Sequence, residues 1–271
     1  WIPLVAPVLP EAPVFAVVAD LRHDLSDDWE RFIADCALAD VPVFHVKQAM
    51  ESLTGRVQIE HLSENTLGSL LPNRAYLRIK EVADWVAALA ALVVAAPILV
   101  LIGVMIRLES SGPALFRQTR TGFRGKPFTV YKLRTMVTVV PTSGELETAI
   151  TRDNDPRVTR LGRFLRRTRI DELPQIINIL RGEMSWIGPR PEAKVLSDLF
   201  EEALPFYRYR YIVRPGITGW AQVNQGHVVS EDQVLEKLHY DFFYIKNFSL
   251  WLDILIGFRT LKTVWTGFGA R

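Results

Sequence analysis

One stretch constrains this chain more than any other. From Trp85 to Ile106 no residue is charged, and Val, Leu, Ile and Ala fill most of the run. About 20 consecutive apolar residues suffice to cross a bilayer as a helix. The run lies too deep in the chain for a signal peptide. Arg78, Lys80 and Arg107 put positive charge at both ends, so the positive-inside rule gives a spanning helix no clear orientation. Two arrangements satisfy the pattern. In one, the helix enters the membrane, breaks at Ala96-Pro97 and returns to the same face; irregular backbone at that depth needs partners from protein or water. In the other, a plain spanning helix carries a mild kink at Pro97.

The rest of the chain is more polar. Its 271 residues suit one large domain or two smaller ones, and the formal charge of +2 makes its arginine clusters local features. A chain opening on Trp1 rather than methionine is expected to continue upstream. The single cysteine, Cys36, excludes an internal disulfide and a Cys-rich zinc site; it reads as a core residue in a reducing compartment. His23, His45, His61, His227 and His239 show no metal-binding spacing.

Residues 1–77 read as a separate α/β unit. Val14–Ala19 suggests a buried strand, Ser26-Asp27-Asp28 caps a helix with Trp29, Phe32, Ile33 and Ala37 on one face, and Val41–Val46 suggests a second strand. Strand, helix, strand at this spacing predicts a parallel pair. No Gly-x-Gly-x-x-Gly follows the first strand, so nucleotide binding there lacks support, and an interaction or regulatory role is the default. Residues 78–107 hold the membrane element. Residues 108–271 form an α+β, mainly α, domain, with turns at Gly112-Pro113, Gly122, Gly125-Lys126-Pro127 and Pro141–Gly144 and a strand over Phe128–Leu133. From Ser230 to Phe268 the chain reads as helical. Its Trp- and Phe-rich tail, with Lys246, Arg259 and Lys262 alongside, has the composition of a helix lying in a membrane interface; a core helix is the plainer reading.

Chemistry concentrates at Asp171-Glu172. Arg163, Arg166, Arg167 and Arg169 precede the pair, and Pro174 with the apolar Ile176, Ile177, Ile179 and Leu180 suggests a helix starting near Asp171. Unpaired backbone N–H groups, the helix dipole and the arginines are expected to keep both acids ionised near neutral pH. Such carboxylates can attack phosphorus, bind a divalent metal or form plain surface ion pairs. Three further groups suit phosphate: Phe116–Arg120 running into Gly122, Gly125 and Tyr131–Met136; Asp153–Arg157 running into the arginine series; and Gly188–Glu192, echoed by Arg214-Pro215-Gly216. Asp153 and Asp155 could equally just shape a turn before Pro156. Arg160, Arg163 and Arg167 suit contacts with anionic lipid headgroups. No Walker-type loop is present, and the membrane segment argues against a nucleic-acid partner.

In these motifs the chain resembles the bacterial monotopic phosphoglycosyl transferases, a bacterial sugar transferase family. Phe-Arg-Gln (116–118), Gly-x-Pro-Phe (125–128), Tyr-Lys-Leu-Arg-Thr-Met (131–136), Asp-Glu-Leu-Pro-Gln (171–175), Ile-Gly-Pro-Arg-Pro-Glu (187–192) and Arg-Pro-Gly-Ile-Thr-Gly-Trp-Ala-Gln-Val (214–223) occur in the family's order. The resemblance covers about Arg78 to the C-terminus. Residues 1–80 look like the tail of the Rossmann-like domain of larger members, which also carry transmembrane helices upstream. The resemblance implies transfer of a phosphosugar, with glucose or galactose the expected sugar, from a UDP-sugar to undecaprenyl phosphate at the cytoplasmic face of the inner membrane. UMP leaves, and capsule, O-antigen or exopolysaccharide synthesis begins. By the same resemblance Asp171 is the covalent nucleophile, and Glu172, together with Asp171, holds Mg²⁺. Lys132, Arg134, Arg169, Arg190 and Arg214 are the candidates for phosphate or uridine contacts, and Pro97 is the membrane break. Ala96 stands where members commonly have serine, and Leu133 where phenylalanine is common. The N-terminal unit is a reasonable homodimer contact. Readings from other classes are a non-catalytic membrane scaffold and a lipid-headgroup-binding module.

Overall fold

The computed structural model describes residues 2–21, 24–57, 72–137, 155–204, 206–225 and 231–266. Asp153, the Pro141–Gly144 turn, His23, His61, His227 and Phe268 lie outside them. The chain divides into two compact units, Trp1–Gln58 and Ile59–Arg271.

The first unit holds β1 (Val17–Ala19), α1 (Asp27–Leu38), β2 (Val43–His45) and α2 (Val46–Thr54). The strands pair in parallel, with Val17 opposite Val43, as the strand–helix–strand spacing predicts. Ser26 occupies the N-cap position of α1, but its side chain makes no capping bond. Asp27, Asp28 and Glu30 in the first turn favour the positive end of the dipole instead. Phe32 and Cys36, one turn apart, pack on Val17, so Cys36 is a core residue.

In the second unit the apolar run lies within α3 (Arg74–Glu109), a 36-residue helix. The Asn73 side chain caps its start by accepting from Ala75 N and Tyr76 N. The helix runs through Pro97, so the expected break at Ala96-Pro97 is not an interruption of helical backbone. A proline removes one intrahelical hydrogen bond, which apolar helices tolerate when neighbouring groups compensate. Small residues point inward: Ala88 and Ala95 are buried against Phe128, Val130, Ile176 and Ile179. Further on, Ile102 and Ile106 are buried against Leu133 and Leu165, while Val93, Val94, Val100, Leu101 and Leu108 point out. Only 17% of its most apolar window is buried, so α3 is not a core helix of a water-soluble fold and suits membrane association.

Both ends of α3 are tied to one polar fold. At its start Lys80 pairs with Asp253 at 2.7 Å, and Asp84 accepts a 2.5 Å hydrogen bond from Ser185. At its end Glu109 accepts from Leu161 N at 3.0 Å. Arg134 donates to the carbonyls of Ile106, Ser110 and Ser111 at 2.6–3.2 Å.

An antiparallel hairpin follows, β3 (Leu115–Thr121) and β4 (Pro127–Leu133). Then come α4 (Arg160–Thr168), a 3-10 turn (Ile170–Gln175), α5 (Ile176–Leu180), β5 (Ser185–Ile187) and α6 (Lys194–Ala203). A second 3-10 turn (Tyr207–Ile212), β6 (Gly216–Thr218), α7 (Trp220–Asn224), α8 (Glu231–Lys246) and α9 (Leu250–Thr266) complete the unit. β5 and β6 pair in parallel through glycines. A Cβ on Gly216 would lie 2.1 Å from Gly188 N, and one on Gly188 would lie 2.4 Å from Arg214 O. The two Pro/Gly-rich motifs thus exist partly to let two backbones touch. On α9, Leu250, Trp251, Ile254, Phe258, Leu261 and Trp265 form an exposed stripe at helical spacing, while Leu252, Asp253 and Ile256 are buried. The tail helix therefore presents a continuous apolar face outward.

Candidate active site

The acid pair sits on the 3-10 turn rather than at the start of an α-helix. Arg169 precedes it in the left-handed region (φ 59°), which turns the chain sharply out of α4 and lays the acids against β4. Alternation along β4 places Lys132 on the same face as Phe128 and Val130. Those two pack on Ile176 and Ile179, just past the acids, so Lys132 continues the core face as a cation at the acid pair.

Glu172 is buried and ion-paired. It accepts from Lys132 Nζ at 3.0 Å and from Arg190 Nη2 at 2.6 Å, and Arg169 Nη1 lies 3.9 Å away. Although burial opposes ionisation, Arg190 and Lys132 hold its carboxyl well below the ordinary glutamate range. Burial in turn lowers the Lys132 ammonium to about 8.

Asp171 differs. It is 8% exposed, and its Oδ1 has no hydrogen-bond partner among the described residues. Burial, followed by the charge of Glu172, pushes its carboxyl up to about 6, against the opposing pull of Lys132, Arg190 and Arg166. Both acids are therefore ionised at neutral pH, as expected, but the cations hold only Glu172 low, while Asp171 is raised by burial to within about a unit of neutrality. Arg166, whose Nε is turned to Thr135 Oγ1 at 2.8 Å, acts on Asp171 only through its field.

The five basic candidates separate. Lys132, Arg169 and Arg190 gather on Glu172. Arg134 is buried at the end of α3, where it caps backbone carbonyls. Arg214 pairs with Glu81, donates to Gly182 O at 2.8 Å and stacks over Phe123. Asp155 accepts from Arg157 N at 3.0 Å and binds its guanidinium, the turn-shaping role open to it. Sequence reasoning missed a second buried network, in which Lys237 pairs with Glu192, and Arg210 pairs with Asp241 at 2.8 Å. The i, i+4 spacing of Lys237 and Asp241 on α8 was its one sequence signal.

Among the described residues no three His, Cys, Asp or Glu side chains converge. The two adjacent carboxylates could serve Mg²⁺, Asp171 through an open oxygen and Glu172 only in competition with Lys132 and Arg190. That fits the usual habit of this ion, which takes one or two carboxylates plus substrate phosphates. The unpartnered Asp171 Oδ1 is the atom that fits best. The arrangement can offer an anionic oxygen to an electrophile while three cations bind the anionic group that carries it.

Residues 75–267 match the family model described as bacterial sugar transferase. The chain is 52% identical over 257 residues to the UDP-N-acetylgalactosamine-undecaprenyl-phosphate N-acetylgalactosaminephosphotransferase of Aeromonas hydrophila, across 94% of this chain and 60% of that protein. It is 38% identical over 249 residues to the UDP-glucose:undecaprenyl-phosphate glucose-1-phosphate transferase of Escherichia coli (strain K12), across 91% of this chain and 51% of that one. A protein of the same description from Caulobacter vibrioides is 44% identical over 201 residues, across 73% of this chain and 74% of its own length. The chain thus spans little more than half the length of the Aeromonas and Escherichia relatives.

Proposed function

The chain belongs to the bacterial sugar transferase family, and from that premise we propose that it moves a hexose-1-phosphate from a UDP-sugar to undecaprenyl phosphate. The observation that carries the reading is the contrast within the acid pair: Glu172 is matched by Lys132 and Arg190, while Asp171 keeps an unpartnered buried oxygen. A desolvated carboxylate is a better nucleophile than a hydrated one. In the proposed reaction an Asp171 oxygen attacks the sugar-bearing phosphorus, the diphosphate P–O bond breaks, and UMP leaves with the electron pair. A phosphate oxygen of undecaprenyl phosphate then attacks the same phosphorus, and Asp171 departs as carboxylate. Lys132, Arg169 and Arg190 would bind the diphosphate oxygens and offset charge built up during attack. Mg²⁺ held by Asp171 and Glu172 would supply further charge neutralisation at the diphosphate.

The two docked ends of α3 support a monotopic placement. A helix whose start is tied through Lys80 and Asp84, and whose end is tied through Glu109 and Arg134, cannot deliver those ends to opposite faces without dividing the polar fold. We read α3 as entering the cytoplasmic face of the inner membrane without crossing it, any turn back being a bend of the continuous helix at Pro97, with the outer stripe of α9 in the interface. The first unit, with Val5, Phe15 and Leu38 exposed, is read as part of a Rossmann-like regulatory or dimerisation domain.

The test is UMP release with Mg²⁺ and undecaprenyl phosphate across UDP-N-acetylgalactosamine, UDP-glucose and UDP-galactose. Turnover on at least one donor, lost in Asp171→Asn, supports the reading. Silence on a full sugar-nucleotide panel favours a non-catalytic scaffold.

A further inference from the structure

The segment Pro189–Glu192 has no secondary structure of its own, and its two prolines donate nothing to a ladder. Yet its four successive carbonyls are all engaged. Pro189 O accepts from Gly216 N at 3.0 Å, and Glu192 O from Thr121 N at 3.3 Å. Between them, Arg190 O accepts from Arg210 Nη2 at 2.8 Å, and Pro191 O accepts from Arg120 Nη1. The two guanidiniums are themselves fixed. Arg210 is 3% exposed and held by Asp241 at 2.8 Å and by Tyr207. Arg120 is held by Gln118 at 2.9 Å. Lys237 grips the Glu192 carboxylate. Burying this much charge is costly, and well-packed apolar residues would give similar stability.

We propose that Arg210 and Arg120 form a backbone clamp whose task is to aim Arg190 at Glu172. They are positioning residues, acting through the main chain of Arg190 and of its neighbour Pro191 without touching substrate. The geometry explains why arginine serves here. One planar fork reaches Asp241 and the Arg190 carbonyl together, and a lysine ammonium cannot hold both directions in a fixed plane. It also explains the prolines: they limit the segment to few conformations, and the clamp selects one of them. A small swing of Arg190 would release Glu172 from one of its two closest cations.

The inference rests on Arg190 belonging to the proposed active site, and the test separates the two. Donor kcat/KM is measured for Arg210→Lys and Arg120→Lys, each in the intact background and in Arg190→Lys. Arg120 is only partly buried, so its variant keeps the test alive if Arg210→Lys does not fold. The clamp predicts a loss of about 10-fold in the intact background and almost none once Arg190 is already altered, because residues acting through one another are not additive. Equal losses in both backgrounds would overturn it and leave a general structural role. If the intact chain turns over no UDP-sugar, the functional reading has failed, and the clamp is then judged by NMR exchange of the Arg190 guanidinium hydrogens. Exchange faster by about 10-fold or more in either clamp variant sustains the proposal, and an unchanged rate defeats it.

Discussion

Two buried charge clusters lie in the second unit, and they are finished to different degrees. Around Glu192 and Asp241 each carboxylate has a cation at ion-pair distance, Lys237 and Arg210 respectively, although burial raises the Asp241 carboxyl and its Oδ2 lacks a well-aligned hydrogen bond. Around the 3-10 turn only Glu172 is matched; Asp171, its neighbour in sequence, keeps a bare oxygen and a carboxyl raised to about 6. The same physics that favours the pairs of the first cluster would make the open carboxylate of the second reactive. A low-dielectric interior strengthens a completed pair and penalises an incomplete one. Incomplete electrostatics in an otherwise satisfied fold is where function is expected.

The sharpest way to break that contrast is Asp171→Asn. Transfer should fall by about 10³-fold or more, since an amide cannot serve as the nucleophile. Stability should move the other way, with the melting temperature up by roughly 2–4 °C for each kcal/mol of relieved desolvation. A variant both inactive and less stable would mean that Asp171 is matched in the native protein.

Glu172→Gln should do the opposite to stability. It leaves Lys132 and Arg190 buried without their counter-charge, and removing one partner of a buried pair costs about 3–5 kcal/mol. Denaturant unfolding measures this, and a loss below about 1 kcal/mol would place Glu172 with ordinary surface pairs.

The pH dependence sharpens the contrast further. Below about 6 Asp171 takes a proton, so kcat/KM should fall about tenfold per pH unit. Stability carries the reverse sign. Between the ordinary value of 3.8 and about 6 the folded state binds the extra proton. Its contribution therefore grows as pH falls through that window and is absent above it. Asp171→Asn should erase this trend.

Arg134→Lys gives the smallest effect. It weakens the cap on α3 by roughly 1–2 kcal/mol in thermal unfolding, with donor KM unchanged, because Arg134 faces backbone carbonyls. A raised KM would return it to the site.

What the sequence revealed follows from the range of the interactions involved. The acids, Lys132 and Arg190 were legible because their motifs are local and strand alternation carries Lys132 to the acids. Arg134, two residues on, lies past the end of β4, where alternation no longer directs it, and α3 captures it. Arg214 belongs to a motif whose glycines proved to be about backbone contact between β5 and β6. The continuity of α3 through Pro97 was hidden because neighbours outside the helix decide whether a proline breaks it. The raised Asp171 was hidden too. Counting arginines in sequence gives the field but not the burial, and burial is the larger cause.

The central claim is that Asp171 and Glu172 divide the labour, one attacking and the other held by cations. Its most direct test is peptide mass mapping of the full chain incubated with UDP-sugar and Mg²⁺ and without undecaprenyl phosphate. The account predicts one hexose-phosphate adduct on Asp171, formed with UMP release and cleared when acceptor is added. An adduct on Glu172, or UMP release that persists undiminished in Asp171→Asn, would contradict it.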